Sequence, residues 1–329
     1  MDKTFLALRV HRTNGAVHHK LEELTLDDLT SRDVLVRVDY STINYKDALA
    51  VTGTAPIIRE FPLVGGIDLA GEILESKDKR FNPGDQVVAL ASGLGETRNG
   101  GYARFASVDS HALQLLPESI DTRTAMALGT AGFTAALAVH RMEENGQRPA
   151  LGPVIVTGAT GGVGAIAIDL LSSRGYEVVA LTGKTTQRDF LKSIGASTVI
   201  DRNELKLETK PLGRAQWGGA IDNLGGDILA WLTRTVCPLG NIASIGLAAS
   251  TELNTTVMPF ILRAVNLLGI SMEFYADLRP EIWNRLATDL SPQHLDAITT
   301  REITLNELPE SFEAYLAGLV TGRTLVKLS

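Results

Sequence analysis

The stretch VIVTGATGGVGAIAIDLL, residues 154–171, places four glycines between an apolar run and an apolar, helix-like pattern. Glycine loses more conformational freedom on folding than any other residue, so such a cluster indicates a backbone that something approaches closely. Gly158, Gly161 and Gly164 have the spacing G-x-x-G-x-x-G. At a strand–loop–helix junction this spacing is typical of a dinucleotide-binding unit, whose backbone N–H groups and helix N-terminus bind the pyrophosphate. The predicted cofactor contacts in this loop are Gly158, Thr160, Gly161, Gly162, Val163 and Gly164.

The segments around the glycine loop alternate between strands and helices. Strands are predicted at 153–157, 177–182, 197–200, 219–222, 241–245 and 265–272, and helices at 124–146, 162–174, 185–194 and 226–236. Such alternation predicts parallel strands with right-handed crossovers, and therefore an α/β fold with a doubly wound parallel sheet. A glycine-rich turn without a ligand is the alternative for the loop, but this order of elements favours the cofactor.

The first 120 or so residues have a different texture, with short β-rich segments separated by turns. The segment DVLVRVDYSTIN (33–44) alternates apolar and polar positions, as a half-buried strand does. The C-terminal tail again contains mixed elements, with a helix predicted at 311–322 and a last strand at 323–329. We expect the tail to complete the first domain, which gives a β-rich domain of 1–123 plus 277–329 and an inserted domain of 124–276.

The end of the second predicted strand decides which dinucleotide is expected. An NAD-specific site usually carries an acidic residue about 20 positions beyond the glycine loop, where it holds the ribose 2′-hydroxyl. Here the chain reads Thr182-Gly183-Lys184, and no carboxylate follows before Asp189. Lys184, together with Arg202 after the third strand, suits a 2′-phosphate. Lys184 taken singly is more typical of a solvated charge at a helix start, and the missing carboxylate decides for the phosphate. We therefore predict NADPH as the cofactor.

Composition excludes several classes of partner. The 329 residues carry a formal net charge of −7, which argues against a nucleic-acid or anionic-membrane partner. No apolar run approaches the roughly 18 residues of a membrane helix, and the N-terminus shows no secretion signal, so a cytoplasmic protein is expected. Cys237 is the single cysteine, which rules out an internal disulfide and a multi-cysteine zinc site.

Four further segments carry a family resemblance: STINYKDALAVTG (41–53), FPLVGGIDLAGEI (61–73), GTAGFTAALAV (129–139) and TTVMPFILR (255–263). With the glycine loop they resemble the medium-chain dehydrogenase/reductase superfamily over essentially the whole chain. The resemblance is to its zinc-free, quinone-oxidoreductase-like branch, and within that to the NADPH-dependent acrylyl-CoA reductases. It implies a Rossmann domain inserted in a GroES-like catalytic domain, and a homodimer formed through the edge of the sixth strand.

Two positions differ from the zinc-dependent members of that superfamily. Where those enzymes carry a cysteine ligand this chain has Asn44, and where they carry a histidine ligand it has Ile67. Isoleucine has no lone pair, so a catalytic zinc lacks its required ligands and no metal is expected. Without a Lewis acid, alcohol oxidation is disfavoured, which leaves reduction of an activated alkene or a quinone.

The resemblance also assigns the remaining site residues. Tyr45 is expected to contact the cofactor and to donate a proton or hydrogen bond to the substrate, with a structural buried tyrosine as the alternative. Asn44 orients the nicotinamide or substrate, or stabilises a turn. Asp47 is expected as the N-cap of a helix starting near Ala48. The loops after the strands of a doubly wound sheet place Gly246 and Leu247 near the nicotinamide. Thr130 is expected at the nicotinamide ribose or phosphate. The resemblance implies that Ile261 and Met272 close the nicotinamide pocket, although filling of the apolar core is the default interpretation of both.

The leading functional hypothesis is reduction of a short enoyl-CoA, acrylyl-CoA to propionyl-CoA, by hydride transfer to the β-carbon. Arg59 and Arg263 are candidate ligands of the CoA phosphates, although either also suits a surface charge. An NADPH:quinone oxidoreductase is the alternative. A non-catalytic NADPH-sensing or RNA-binding protein is disfavoured by the acidic composition and the intact NYKDAL segment.

Overall fold

The computed structural model describes residues 4–207 and 209–328. The chain divides into two compact units. The first unit comprises Met1–Thr130 and Thr299–Ser329, and the second unit comprises Ala131–Ile298. The expected domain boundaries at 123/124 and 276/277 stay a prediction.

The regular elements of the described residues are numbered in chain order. The strands are β1 (Phe5–Thr13), β2 (Ala16–Leu24), β3 (Val34–Thr42), β4 (Leu63–Val64), β5 (Asp68–Ser76), β6 (Gln86–Leu90), β7 (Phe105–Val108), β8 (Leu113–Leu115), β9 (Val154–Thr157), β10 (Val178–Thr182), β11 (Thr198–Asp201), β12 (Trp217–Asp222), β13 (Val236–Ser244), β14 (Asn266–Gly269), β15 (Thr299–Thr304) and β16 (Arg323–Lys327). The helices are α1 (Tyr45–Thr52), α2 (Thr122–Glu144), α3 (Gly162–Ser173), α4 (Arg188–Ser193), α5 (Gly226–Thr235), α6 (Met258–Arg263), α7 (Arg279–Ala287), α8 (Leu295–Ile298) and α9 (Phe312–Leu316).

The first unit is β-rich, as its sequence predicts. Its larger sheet has the order β15-β16-β3-β5-β6-β8, with β7 also paired to β3, and a smaller sheet has the order β2-β1-β4. The half-buried strand predicted from the alternating sequence of β3 is confirmed, because Val34, Val36 and Val38 point into the core. The C-terminal strand β16 pairs antiparallel with β3, so the tail is part of this sheet.

The second unit contains the doubly wound sheet. Its six strands pair in parallel in the order β11-β10-β9-β12-β13-β14, which is the 3-2-1-4-5-6 order of dinucleotide-binding folds. Every residue of β9 is buried, as expected for a strand covered on both faces. Because the strands are parallel, their carboxyl ends meet at one edge. The residues that follow β9, β10, β11 and β13 at that edge include predicted cofactor contacts: Gly158 to Gly164, Gly183, Lys184, Arg202, Gly246 and Leu247.

Two predicted helices differ from those observed. The helix expected at 124–146 spans Thr122–Glu144, but Gly129 interrupts it with φ 53° and ψ −158°. The helix expected at 311–322 is only α9, because Gly318 adopts φ 66° and ends it in a left-handed turn. In the described part of the chain, no helix is both long and apolar enough to cross a membrane.

Candidate functional site

The glycine loop of the second unit forms a tight turn between β9 and α3. Gly158 has φ 58°, and its carbonyl oxygen accepts the N–H of Gly161 at 2.9 Å. A Cβ at Gly164 would lie 2.4 Å from that same oxygen, so only glycine allows α3 to pack this closely on the loop. At Gly161 a Cβ would meet only the Gly158 oxygen, at 3.3 Å. The loop therefore exposes bare backbone at the N-terminus of α3, where N–H groups and the helix dipole favour an anion.

The residues predicted for the 2′-phosphate lie together at the end of β10. Thr182 pairs with Asp201 of β11, and this register brings the next residue, Arg202, beside Gly183. A Cβ at Gly183 would be 3.2 Å from Nη2 of Arg202, so the guanidinium covers the glycine. The N–H of Lys184 donates to Oγ1 of Thr182 at 3.0 Å, and burial lowers the pKa of the Lys184 ammonium. Lys184 and Arg202 therefore lie at neighbouring strand ends, and their contact with a 2′-phosphate stays a prediction.

The residues predicted for the nicotinamide half have different surroundings. Gly246 lies against the backbone of Asn223, since a Cβ there would be 2.4 Å from the Asn223 carbonyl oxygen. Leu247 and Ile261 expose most of their side chains, 63% and 72% respectively, whereas Met272 is buried. Their roles stay predictions.

In the first unit, α1 begins at Tyr45, whose side chain is 45% exposed. The expectation that Asp47 caps a helix starting near Ala48 is wrong, because Asn44 is the N-cap and Asp47 is the third helical residue. Oδ2 of Asp47 accepts the Asn44 N–H at 2.8 Å, and Oδ1 accepts the Ile67 N–H at 2.8 Å. Asp47 therefore ties the start of α1 to Ile67.

The Asn44 amide is held at both ends by buried charged residues. Its Nδ2 donates to Oδ2 of Asp68 at 2.9 Å, and Nη1 of Arg323 donates to its Oδ1 at 3.1 Å. Asp68 also accepts the N–H of Thr130 at 2.8 Å and its hydroxyl at 2.5 Å. These bonds define the orientation of the amide and anchor Thr130, so both residues have structural partners; their contact with a cofactor stays a prediction.

Burial dominates the ionisation of the two carboxyl groups. It raises the pKa of Asp47 to about 7, with a further increase from the neighbouring Asp68 charge. It also raises the pKa of Asp68, although hydrogen bonds from Thr130 and Asn44 and the charge of Arg323 oppose the change. One of the two carboxyl groups can thus hold a proton near neutral pH.

The positions that bind zinc in related enzymes are filled differently here. Ile67 is 2% exposed and offers only hydrocarbon, and Asn44 uses its amide as described above. Across residues 4–207 and 209–328, the structure has no group of three or more His, Cys, Asp or Glu side chains that could hold a metal ion.

The two arginines predicted for the CoA phosphates differ in their exposure and hydrogen bonds. Arg59 is exposed in the first unit. In the second unit, the Arg263 guanidinium donates to the carbonyl oxygens of Arg234 (2.8 Å), Val236 (3.5 Å) and Gly213 (2.5 Å). A cation at the C-terminal carbonyls of α5 accounts for Arg263 structurally, and its substrate role stays a prediction.

Comparison with known proteins agrees with this geometry. Residues 30–118 match the family described as alcohol dehydrogenase GroES-like domain, and residues 162–288 match the family described as zinc-binding dehydrogenase. The chain is 44% identical to Bacillus subtilis YhfP, whose name refers to a quinone oxidoreductase, over the full length of both. The chain belongs to the medium-chain dehydrogenase/reductase superfamily, in its quinone-oxidoreductase-like branch.

Other members of this superfamily have comparable similarity. The acrylyl-CoA reductase AcuI of Ruegeria pomeroyi is 43% identical over 96% of both chains. Among solved structures, the yhdH oxidoreductase of Salmonella enterica in complex with NADP has a TM-score of 0.94 and 43% identity. It covers 98% of this chain and 100% of that chain. The yhfP structure of Bacillus subtilis with NAD bound has a TM-score of 0.96 at 44% identity, covering 99% of this chain and 100% of that chain.

Two buried residues of this medium-chain dehydrogenase/reductase have contacts that the sequence does not predict. Arg323 lies in the last strand, far along the chain from Asn44, and no local pattern signals their contact. Asp222, at the end of β12, is fully buried beside the glycine loop. Its only signal in the sequence is its place at the carboxyl end of a predicted strand.

Proposed function

We propose that this chain is an NADPH-dependent reductase of the C=C bond of a short enoyl-CoA, converting acrylyl-CoA to propionyl-CoA without a metal ion. The observation that carries the proposal is the Asn44 amide, bonded to Asp68 and Arg323 at a position where zinc-dependent relatives have a ligand. A reductase with this arrangement needs a substrate that accepts hydride without a Lewis acid, which an α,β-unsaturated thioester does. The similarity to the protein named acrylyl-CoA reductase AcuI supports this substrate class.

The choice of NADPH rests on the end of β10. Lys184 and the Arg202 guanidinium over Gly183 provide positive charge, and no carboxylate occupies the turn Thr182-Gly183-Lys184. Such a turn favours a 2′-phosphate over a 2′-hydroxyl. The solved relatives include one with NADP and one with NAD, so a direct comparison of the two cofactors is the test. Equal kcat/KM for NADPH and NADH would overturn this choice.

In the proposed mechanism, bound NADPH supplies a hydride. The glycine loop and the first turn of α3 would hold the pyrophosphate through backbone N–H groups. The thioester carbonyl draws electrons from the C=C bond, so the β-carbon accepts hydride and the α-carbon accepts a proton as the π bond is lost. The Tyr45 phenol donates a hydrogen bond to the developing enolate and supplies the proton that the α-carbon takes up. The exposure of Tyr45 and its place at the first residue of α1 support this role.

The side chains at the two positions support metal independence. Ile67 provides no ligand atom, and the Asn44 amide already has a partner at each end. Full activity after treatment with a strong chelator, with no zinc found in the purified protein by elemental analysis, is the expected result. Loss of activity that added zinc restores would contradict it.

The substrate is tested by following NADPH oxidation with acrylyl-CoA, crotonyl-CoA and benzoquinone under the same conditions. We expect the highest kcat/KM for acrylyl-CoA. The similarity to YhfP makes quinone reduction the second candidate. A clear preference for benzoquinone would replace the enoyl-CoA proposal with that alternative.

We also propose that two copies associate through the edge of β14, the last strand of the parallel sheet. Large apolar side chains of the second unit that are exposed in the single chain support this proposal: Leu253, Val257, Met258, Leu262 and Phe274. Light scattering should give the mass of two chains, and a mass of one chain at micromolar concentration would contradict it.

A further inference from the structure

A buried side-chain bond joins the carboxyl ends of β9 and β12. The Thr157 hydroxyl donates to Oδ1 of Asp222 at 2.7 Å and accepts the Asn223 N–H at 2.9 Å. Thr157 and Asp222 are both fully buried. Burial raises the pKa of Asp222, and hydrogen bonds from Thr157, Gly225 and Leu224 oppose that shift. The function proposed above uses neither side chain.

Asp222 also holds the two loops that follow β12 and β13. Its Oδ2 accepts the N–H of Gly225 at 2.8 Å, in a turn where Gly225 has φ 71°. Its main-chain oxygen accepts the N–H groups of Ile245 at 2.9 Å and Gly246 at 3.3 Å. One residue therefore connects three loops at the carboxyl edge of the sheet.

Asn223 transmits the position of Asp222 to the predicted cofactor contacts. Its Nδ2 donates to the Thr157 carbonyl oxygen at 2.8 Å. A Cβ at Gly158 would lie 3.3 Å from the Asn223 Cβ, and one at Gly246 would lie 2.4 Å from the Asn223 oxygen. Because both glycines pack directly on Asn223, a shift of this residue displaces the backbone on both sides.

The predicted adenosine end of the site has separate supports. Thr182 is held by the pairing of β10 with β11, and Lys184 by its bond to the Thr182 hydroxyl. Arg202 follows directly after β11. The Asp222 carboxylate bonds described above do not include these residues.

We propose that Asp222 and Thr157 are positioning residues, whose bond sets the geometry of the loops that bind the pyrophosphate and nicotinamide of the cofactor. This inference rests on the NADPH site proposed above. It predicts that loss of the bond weakens binding of the whole dinucleotide and spares a ligand that occupies only the adenosine end.

The test compares the Kd of NADPH with that of adenosine 2′-monophosphate, which has the 2′-phosphate but no pyrophosphate, measured calorimetrically on the full chain. In Asp222→Asn an amide NH₂ replaces one of the two carboxylate oxygens, so only one acceptor oxygen remains. The N–H of Gly225 and the Thr157 hydroxyl therefore cannot both keep their acceptors. Thr157→Val removes the hydroxyl at nearly constant shape and tests the same bond if Asp222→Asn does not fold. We expect the Kd of NADPH to rise about tenfold in each variant, and that of adenosine 2′-monophosphate to change less than about twofold.

Asp169→Asn is the matched control. Asp169 is another buried carboxylate of the second unit, which accepts the N–H of His294 and contacts its ring Nδ1, both at 2.8 Å. This variant should lower thermal stability and leave both Kd values unchanged. In the double variant Thr157→Val/Asp222→Asn, NADPH binding should weaken by less than the sum of the two single effects, because both changes break the bond between Thr157 and Asp222.

Equal weakening of both ligands, or additive effects in the double variant, would overturn the positioning role and reduce the pair to general stabilisation. Unchanged NADPH binding in Asp222→Asn and Thr157→Val would overturn it as well. A wild-type chain that bound neither NADPH nor adenosine 2′-monophosphate would instead overturn the proposed cofactor, and this inference with it. The two failures are therefore distinguishable.

Discussion

Gly129→Ala is the sharpest test of how the first unit is assembled. Gly129 interrupts α2 with φ 53° and ψ −158°, a backbone region that is essentially restricted to glycine. A Cβ at this position would lie 2.6 Å from Nη2 of Arg323 and 2.9 Å from Oδ2 of Asp68. Both groups belong to the buried hydrogen bonds around Asn44, and Nη2 of Arg323 also donates to Oγ1 of Thr42 at 2.8 Å. Alanine must therefore strain the backbone and displace a buried charge.

The expected loss can be worked out from these contacts. Backbone strain at such a position costs about 1–3 kcal/mol. Displacing one hydrogen bond to a buried charged group costs about 1.5–3 kcal/mol more. Alanine lowers the conformational entropy of the unfolded chain, which raises the free energy of unfolding by about 0.4–1 kcal/mol. We therefore expect Gly129→Ala to lower the free energy of unfolding by about 2–5 kcal/mol.

Urea unfolding followed by far-ultraviolet circular dichroism measures this loss. Gly146→Ala is the control, because Gly146 has φ 79° at the end of the same helix and a Cβ there would meet no atom within 4 Å. It should cost only the left-handed strain, about 1 kcal/mol. If the two variants were equally destabilised, the contacts with Arg323 and Asp68 would carry no energy and the reasoning would fail.

Replacing Lys184 and Arg202 together by alanine should lower kcat/KM for NADPH at least about tenfold and spare that for NADH, with Lys192→Ala on an exposed position of α4 as control. A parallel fall with both cofactors would contradict the assigned 2′-phosphate site. Tyr45→Phe should lower kcat with the enoyl-CoA about 10²–10⁴-fold without changing the Kd of NADPH, and an unchanged kcat would remove Tyr45 from the chemistry. The pKa of Asp47 is raised from 3.8 to about 7, so the folded chain binds this proton more tightly than the unfolded chain. The stability that this protonated Asp47 contributes is present below about pH 4 and is lost as the pH rises through about 7. Over this range, the urea midpoint of Asp47→Asn should therefore depend less on pH than that of the wild-type chain. Equal pH dependence in Asp47→Asn and the wild-type chain would refute that assignment.

The sheet of the second unit was predictable because its signals are local. Strands expected at 153–157 and 177–182 are observed at Val154–Thr157 and Val178–Thr182. Apolar runs of strand length, separated by helix-like segments, restrict the topology to parallel strands with right-handed crossovers. The glycine spacing then marks the loop after the first strand of this sheet.

The site was predictable in part. The cations near Gly183 follow from the order of strand ends, since neighbouring parallel strands place Lys184 and Arg202 at the same edge. The sequence predicts a continuous helix at 124–146, because an apolar pattern of helical period continues through Gly129, whereas the structure interrupts the helix there. Its unusual ψ follows from packing on Asp68 and Arg323, which periodicity does not report.

The sequence by itself determined the doubly wound sheet, the glycine loop before α3 and the residue types at Asn44 and Ile67, from which we predict metal independence. Each of these depends on residue types or on spacings within a few tens of residues. Only the tertiary structure decided that Arg323 holds the Asn44 amide, and that Asp222 holds Thr157. A buried hydrogen bond depends on the meeting of side chains distant along the chain, and the packing of the folded backbone alone sets that meeting.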